Sequence, residues 1–255
     1  MLQNKTVLLT GASSGIGKSL LLTLAASGCH IHGIVKTPDR KTALLAELSS
    51  CLPPKELQAI ELYVCDLRNV PEIEALAQTL HRQKISPDIL ILNAGVGFYG
   101  PHEELSVKQI AELSAVNFTA PLLLTKLFLR DLKKVHGHLL FISSVTAGKT
   151  NNTHGCAYGA TKAGLSSFAK SLFEEVRKHG VRVTILAPDM TRTELYRNAS
   201  FDAANEEDAS LSPEEVADYA LFALTAREGL NLTELTMQPQ RHRLHVKKSA
   251  SPDSL

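Results

Sequence analysis

The stretch Thr6-Val7-Leu8-Leu9-Thr10-Gly11-Ala12-Ser13-Ser14-Gly15-Ile16-Gly17 decides the fold. Its first five residues form a short, largely apolar run of strand length, and an amphipathic pattern runs from Ile16 to Ser27, where Gly28 stops it. Three glycines, Gly11, Gly15 and Gly17, span the junction of run and pattern, spaced G-x-x-x-G-x-G. Glycine permits a tight turn and close approach of a pyrophosphate. A helix start adds free N–H groups and the positive end of a dipole. Strand, glycine turn and helix in that order make a dinucleotide loop. The spacing is not G-x-G-x-x-G, so its place at the first strand–helix junction carries the assignment.

Working outward, apolar runs alternate with helical patterns along the whole chain. Strands are expected at 6–10, 31–35, 57–65, 89–92, 138–142, 181–186 and 232–237. Helices are expected at 16–27, 42–48, 70–83, 106–134, 158–179 and 212–225, the last opened by Ser212-Pro213-Glu214-Glu215. Near-continuous apolar strands alternating with helices imply a parallel sheet covered on both faces. The expectation is a single α/β domain over residues 1–239, a doubly wound Rossmann-type sheet of about seven strands with ligands at the carboxyl ends. Residues 240–255 are polar and basic (Arg241, Arg243, Lys247, Lys248) and are expected to be a flexible tail.

Composition narrows the function classes. With 255 residues, 44% hydrophobic and 21% charged, the chain can bury a sizeable core. A formal net charge of +1 gives no field to draw nucleic acid or a membrane. Cys29, Cys51, Cys65 and Cys156 have no metal-type spacing and read as reduced thiols, and no metal site is expected. No leader-like or membrane-spanning run is visible, so the expected location is cytoplasmic.

Two local features point to chemistry. Tyr158 and Lys162 are four apart, one turn of helix, and a nearby ammonium favours the phenolate. Taken alone, the pair equally describes a half-buried Tyr beside a solvated Lys. The second feature is an absence: the carboxylate that would bind a ribose 2′-hydroxyl at the end of the second strand is missing from Gly33-Ile34-Val35-Lys36-Thr37. Lys36 stands in its place with Arg40 as a second cation, which suits a 2′-phosphate and favours NADP(H) over NAD(H).

Residues 10–17, Asn93-Ala94-Gly95, Asn117, Ser143-Ser144 and Tyr158-x-x-x-Lys162 stand in the order typical of the short-chain dehydrogenases/reductases. The chain resembles that family over residues 5–237. The resemblance implies a catalytic set of Asn117, Ser144, Tyr158 and Lys162. Ser144 would bond the substrate carbonyl, Tyr158 would exchange its proton, and Lys162 would lower the Tyr pKa and bond the nicotinamide ribose. Asn117 would distort its helix and hold a water in a relay to Lys162. Cofactor contacts would come from Gly11, Ser13, Ser14, Gly15, Ile16, Gly17, Lys36, Asp66 and Leu67 at the phosphates and adenosine. Asn93, Ala94, Gly95, Tyr158, Lys162, Pro188 and Thr193 would complete them.

Two departures from the family pattern stand out. Tyr158 lies fourteen positions after Ser144, where thirteen is usual, with Ser143 as the fallback, and Asp189 replaces the Gly of Pro-Gly-x-x-x-Thr. Asp tolerates left-handed backbone, so the turn is expected to survive.

The implied activity is reversible hydride transfer between NADP(H) and a carbonyl/alcohol pair, in a homodimer or homotetramer formed through helices 106–134 and 158–179. Val96, Phe98, His154, Cys156 and Met190 would line the substrate pocket, under a loop carrying Tyr196 and Phe201. The segment Asn231-Leu232-Thr233-Glu234-Leu235 is similar to the end of NADP-dependent 3-hydroxy acid dehydrogenases, and Arg192 and Arg197 could meet such a carboxylate. A ketone or aldehyde substrate fits equally. The alternative is a regulatory or scaffold protein that binds NADP(H) without turnover.

Overall fold

The computed structural model describes residues 2–149, 151–241 and 243–247. Strands β1 to β6 are Thr6–Thr10, His30–Val35, Ile60–Val64, Ile89–Leu92, His138–Ile142 and Arg182–Pro188. They are followed by β7 (Phe201–Ala203), β8 (Glu234–Met237) and β9 (Leu244–Val246). Helices α1 to α4 are Gly15–Ala26, Pro38–Cys51, Pro54–Gln58 and Val70–Arg82. Helices α5 to α8 are Val107–Ser114, Ala120–Lys134, Cys156–Val176 and Pro213–Leu224.

Seven strands pair in the order β3-β2-β1-β4-β5-β6-β8, all in parallel. The order reverses between β1 and β4. A crevice therefore opens beyond the carboxyl ends of those two strands. Leu9 of β1 sits in register with Gly33 and with Ile91, so the glycine turn emerges level with the ends of β2 and β4. β4 and β5 are buried along their full length, as strands covered on both faces must be. One apolar layer joins the sheet to α1, α2 and α8 through residues such as Leu20, Leu48 and Val216. The other joins it to α4, α6 and α7 through Ile73, Phe128 and Leu165. This is the doubly wound architecture expected from the alternation of apolar runs.

Among the boundaries that differ from the sequence expectation, three stand out. The strand expected over 57–65 starts later, because Pro54 opens a short helix that runs to Gln58. The helix expected over 106–134 is broken by a π-helical turn at Ala115–Thr119. Pro121 explains the break: it has no N–H to return to the carbonyl of Asn117, four residues back, so the turn widens there. The expected loose tail instead contributes β9, which pairs antiparallel with β7 from Phe201↔Val246 to Ala203↔Leu244. The tail's last residues, 248–255, lie outside the described residues. Among the described residues no helix is long and apolar enough to cross a membrane, and no cluster of side chains could hold a metal ion.

One buried group makes stability depend on pH. His138 at the start of β5 is 1% exposed, its Nε2 lies 2.8 Å from Thr184 Oγ1, and burial pulls its pKa down to about 3. The unfolded chain takes up a proton near pH 6.5 and the folded chain does not. The stability from this group is therefore complete above 6.5 and lost as pH falls from there toward 3. Chemical unfolding at pH 6.5 and pH 5 is expected to show a loss of about 2 kcal/mol that His138→Leu lacks.

Candidate active site

The crevice is one continuous cleft lined by residues from the glycine turn to the loop after β6. Every cofactor-binding position inferred from the sequence lines it: Gly11 through Gly17 (Ala12 apart), Lys36, Asp66, Leu67, Asn93, Ala94, Gly95, Tyr158, Lys162, Pro188 and Thr193. Ser143 and Ser144 line it too, while Asn117 stands behind it, fully buried.

The turn is tied to the sheet by side chains on both sides. Thr10 Oγ1 accepts from the backbone N–H groups of Asn93 and Ala94, each at 2.9 Å, and Asn93 Nδ2 donates to the carbonyls of Thr10 (2.9 Å) and Gly11 (3.2 Å). Gly11 has φ +69°, and a Cβ there would come within 2.9 Å of the Ala94 backbone, so only glycine fits. Ser14 opens α1 without a side-chain cap, leaving the first helical N–H groups facing the cleft. That uncapped end, with cations beyond it, fits a dinucleotide pyrophosphate.

At the adenosine end of such a ligand the charges form a network. Lys36 Nζ lies 3.2 Å from Glu112 Oε1, and Arg68 approaches the same oxygen at 3.7 Å. Asp66 is ion-paired by both carboxylate oxygens to Arg68, whose hydrogen bonds hold its carboxyl below the usual range. Arg40 reaches across the cleft to Glu194, 3.5 Å away. Glu112 and Arg68 were not anticipated. Glu112 is a charged residue on a helix face, indistinguishable by sequence from a solvated one.

At the other end four polar residues converge. Asn117 lies in the π turn, where Oδ1 accepts from Val96 N at 2.8 Å and Nδ2 donates to Val96 O at 2.9 Å and Thr161 Oγ1 at 3.2 Å. A Cβ built on Gly95 would sit 3.5 Å from Asn117 Oδ1 and 3.6 Å from Lys162 Nζ, so the two groups flank one small space. Lys162 Nζ donates to Ile142 O at 2.8 Å, and burial brings its pKa down to about 8. Ser144 Oγ accepts from Thr146 N at 3.2 Å and pairs with Thr146 Oγ1 at 3.0 Å. Ser143 Oγ is instead held by Ser166 Oγ (2.7 Å) and Lys162 O (3.3 Å), which anchors β5 to α7. Ser144 is thus the serine beside Tyr158, and the longer loop to Tyr158 does not displace it.

The expected lowering of the Tyr158 pKa is corrected here. Burial pushes the phenol up to about 12, against a smaller opposite pull from the neighbouring Ser144 and Tyr99 hydroxyls. Lys162 Nζ sits 5.9 Å from the ring centroid and points to a backbone carbonyl, too far to reverse that effect. At neutral pH the pair is a protonated phenol and an ammonium, a state suited to giving a proton away.

The loop after β6 also differs in detail. Asp189 was expected to need left-handed backbone, but it is not among the residues with positive φ. Its carboxylate accepts from Met190 N at 2.9 Å and from Gln238 Nε2 at 3.1 Å, which closes the turn with a side chain. Thr193 Oγ1 accepts from Leu195 N, and its methyl group packs on Gly15. Of the residues expected to line a substrate pocket, Val96 lines the cleft and Met190 packs beside Tyr196. Phe98, His154 and Cys156 do not line it, and Cys156 is exposed with Sγ 3.6 Å from His102 Nδ1. Tyr99, unanticipated, stacks on Tyr158 with ring centroids 5.3 Å apart.

Residues 5–204 match the family described as short chain dehydrogenase. The chain belongs to that family. Among curated relatives, an uncharacterized oxidoreductase of Staphylococcus saprophyticus is 29% identical over 239 residues, covering 93% of this chain and 98% of the relative. Among solved structures, a metagenomic short-chain oxidoreductase in complex with NADP is 28% identical with a TM-score of 0.76, covering 93% of this chain and 98% of that one. An alcohol dehydrogenase from the archaeon Thermococcus sibiricus, complexed with 5-hydroxy-NADP, shares the fold at a TM-score of 0.83 and 24% identity, covering 94% and 99%. This short-chain dehydrogenase is therefore an oxidoreductase by family, with a nicotinamide nucleotide as the cofactor its relatives use.

Proposed function

We propose that this short-chain dehydrogenase reduces a carbonyl to an alcohol with NADP(H), reversibly, using Ser144, Tyr158, Lys162 and Asn117. The observation that carries the proposal is one of placement: Ser144, Tyr158 and Lys162 line the same cleft as the glycine turn, with Asn117 directly behind. The chemistry needed at the carbonyl carbon is hydride donation, which a nicotinamide held in this cleft would supply. The Ser144 hydroxyl donates to the substrate oxygen and orients it. Tyr158 gives its phenolic proton to that oxygen as negative charge develops there. Lys162, charged below about pH 8, stabilises the phenolate left behind and would bond the nicotinamide ribose. Asn117, locked to Val96, fixes the π turn beside Lys162, where a water could pass a proton inward.

Gly15 and Ser14 at the open start of α1 would hold the pyrophosphate, and Thr193 the carboxamide. Lys36 and Arg40 would hold the 2′-phosphate, which supports NADP(H) over NAD(H). Lys36→Glu is expected to raise KM for NADPH by roughly 10- to 100-fold, the worth of one charge-assisted contact, and to leave KM for NADH nearly unchanged. Steady-state kinetics with both nucleotides measure this; an equal effect on both would remove Lys36 from the phosphate site. The broader test is loss of NADPH absorbance against a carbonyl panel, and the reverse reaction with secondary alcohols including 3-hydroxy acids. NADPH binding without turnover on any of them would mean that the protein is not a reductase. A second copy is proposed to pack on the groove between α5 and α7, which is lined by Phe118, Ala160 and Gly164.

A further inference from the structure

Thr193 through Asn198 form one side of the cleft, on the segment 193–203 that ends with β7. Its apolar support is small: Tyr196, Ala199 and Ala203 pack with Met190 in a cluster separate from both core layers. Glu194 faces Arg40 at 3.5 Å and Arg197 at 3.8 Å, but all three side chains are exposed, and such pairs contribute little. Backbone groups must do more of the holding. Among the described residues, the backbone groups of 193–203 that find partners outside the segment find them near the chain's end. β7 pairs with β9, and Lys247 N donates to Ser200 O at 2.9 Å. The Lys247 side chain then turns back over the segment. Its Nζ donates to Tyr196 O at 2.7 Å and to Arg197 O at 3.4 Å, and lies 3.3 Å from Asp202 Oδ1. Those two carbonyls close the short helical turn Glu194–Tyr196, a place where a lysine can hold the last carbonyls.

We propose that Lys247 is a positioning residue for the nucleotide cleft: its ammonium holds residues 193–198 where Thr193 can meet the nicotinamide. This rests on the reductase assignment above and adds to it a residue some fifty positions further along the chain. Lys247 does not itself line the cleft, so it acts through the two carbonyls it binds. A nucleotide that needs this side of the cleft in place binds only the fraction of molecules that have it there. The apparent Kd rises in inverse proportion to that fraction. Hydrogen bonds from an ammonium are among the stronger ones, so losing these should cut the fraction about 10-fold. Ser144 follows β5, and Tyr158 and Lys162 stand in α7, so the chemical step in the loaded protein is spared.

Lys247→Met in the full chain removes the donors and keeps the stem. It is expected to raise the Kd for NADPH about 10-fold, with kcat on the best carbonyl within about 3-fold of wild type. Lys247→Arg keeps charge and donors and should bring the Kd back to within about 3-fold. Hydrogen exchange reads the segment without any turnover. Amides of 193–203 should exchange about 10-fold faster in the Met variant, and those of β1 and α1 at the wild-type rate. Thermal melting identifies a folding failure, and in that event Lys247→Gln takes its place. An unchanged Kd, unchanged exchange, or an Arg variant as weak as the Met variant overturns this proposal and leaves the reductase assignment standing. Turnover of no carbonyl by protein that binds NADPH overturns the reductase assignment alone, because Kd and exchange still test Lys247. Wild-type protein that binds no NADPH overturns both.

Discussion

Replacing Tyr158 with Phe is expected to lower kcat on the order of 1,000-fold while NADPH binding stays close to wild type. The magnitude follows from what the hydroxyl does and from what it does not do. It lies beside Ser144, and burial raises its pKa to about 12, which keeps it protonated at neutral pH. Removing it leaves Ser144 and the bound nucleotide in place, so polarisation and proximity survive and the proton does not arrive. The fold should tolerate the change. The ring keeps its packing on Tyr99, and one partly matched hydroxyl costs about 1 kcal/mol. Steady-state kinetics against the best carbonyl from the panel, with NADPH binding measured by calorimetry, separate the two effects. Near-normal kcat in the Phe variant would mean that another group supplies the proton and that Tyr158 only packs there. In the proposed mechanism Lys162 has a separate role: burial brings its pKa down to about 8, so it is charged at neutral pH, and it would steady the phenolate after transfer rather than form it beforehand.

Much of this site was legible in the sequence because its parts are bound to backbone. The glycine turn, Asn93 and the Tyr–Lys pair each sit at a strand end or one helical turn apart, so chain order alone places them at one end of the sheet. Asn117 was legible as a polar residue inside an apolar helix. The π turn could also have been found there, from the proline four residues later. The Tyr158 pKa was not legible: which of two opposed effects wins depends on burial and on a distance, and a spacing of four supplies neither. Glu112 and Tyr99 were hidden for another reason. Their partners, Lys36 and Tyr158, are far away in the chain, and only the folded loops bring them together. The β7–β9 pair escaped because two three-residue strands have no periodicity to detect, and the whole of α8 and β8 lies between them in the chain.

Replacing Gly17 with Val is expected to damage stability and nucleotide affinity together. Gly17 has ordinary helical backbone, so conformational strain is not the cause. Space is the cause: a Cβ here would overlap the carbonyl oxygen of Gly11 and come within 2.5 Å of Asn93 Nδ2. Neither neighbour can yield cheaply. The Gly11 oxygen belongs to backbone at the end of the central strand, and it accepts from that same Asn93 amide, which also holds the Thr10 carbonyl. A side chain at Gly17 must therefore lift the start of α1 away from β1 or break the Asn93 bonds. Overpacking of this kind costs about 1–3 kcal/mol, which for a chain this long lowers Tm by roughly 2–12 °C. The same displacement moves the uncapped N–H groups of α1 out of line with a pyrophosphate, so the Kd for NADPH should rise on the order of 100-fold. Gly148→Ala is the control, because a Cβ there meets nothing within 4 Å and Tm should hardly move. If Gly17→Val melts like wild type and binds NADPH equally well, the helix start does not hold the phosphates. A stable variant with weakened binding would instead show that the two functions of this glycine, packing the helix on the strand and leaving room for an anion, can be separated.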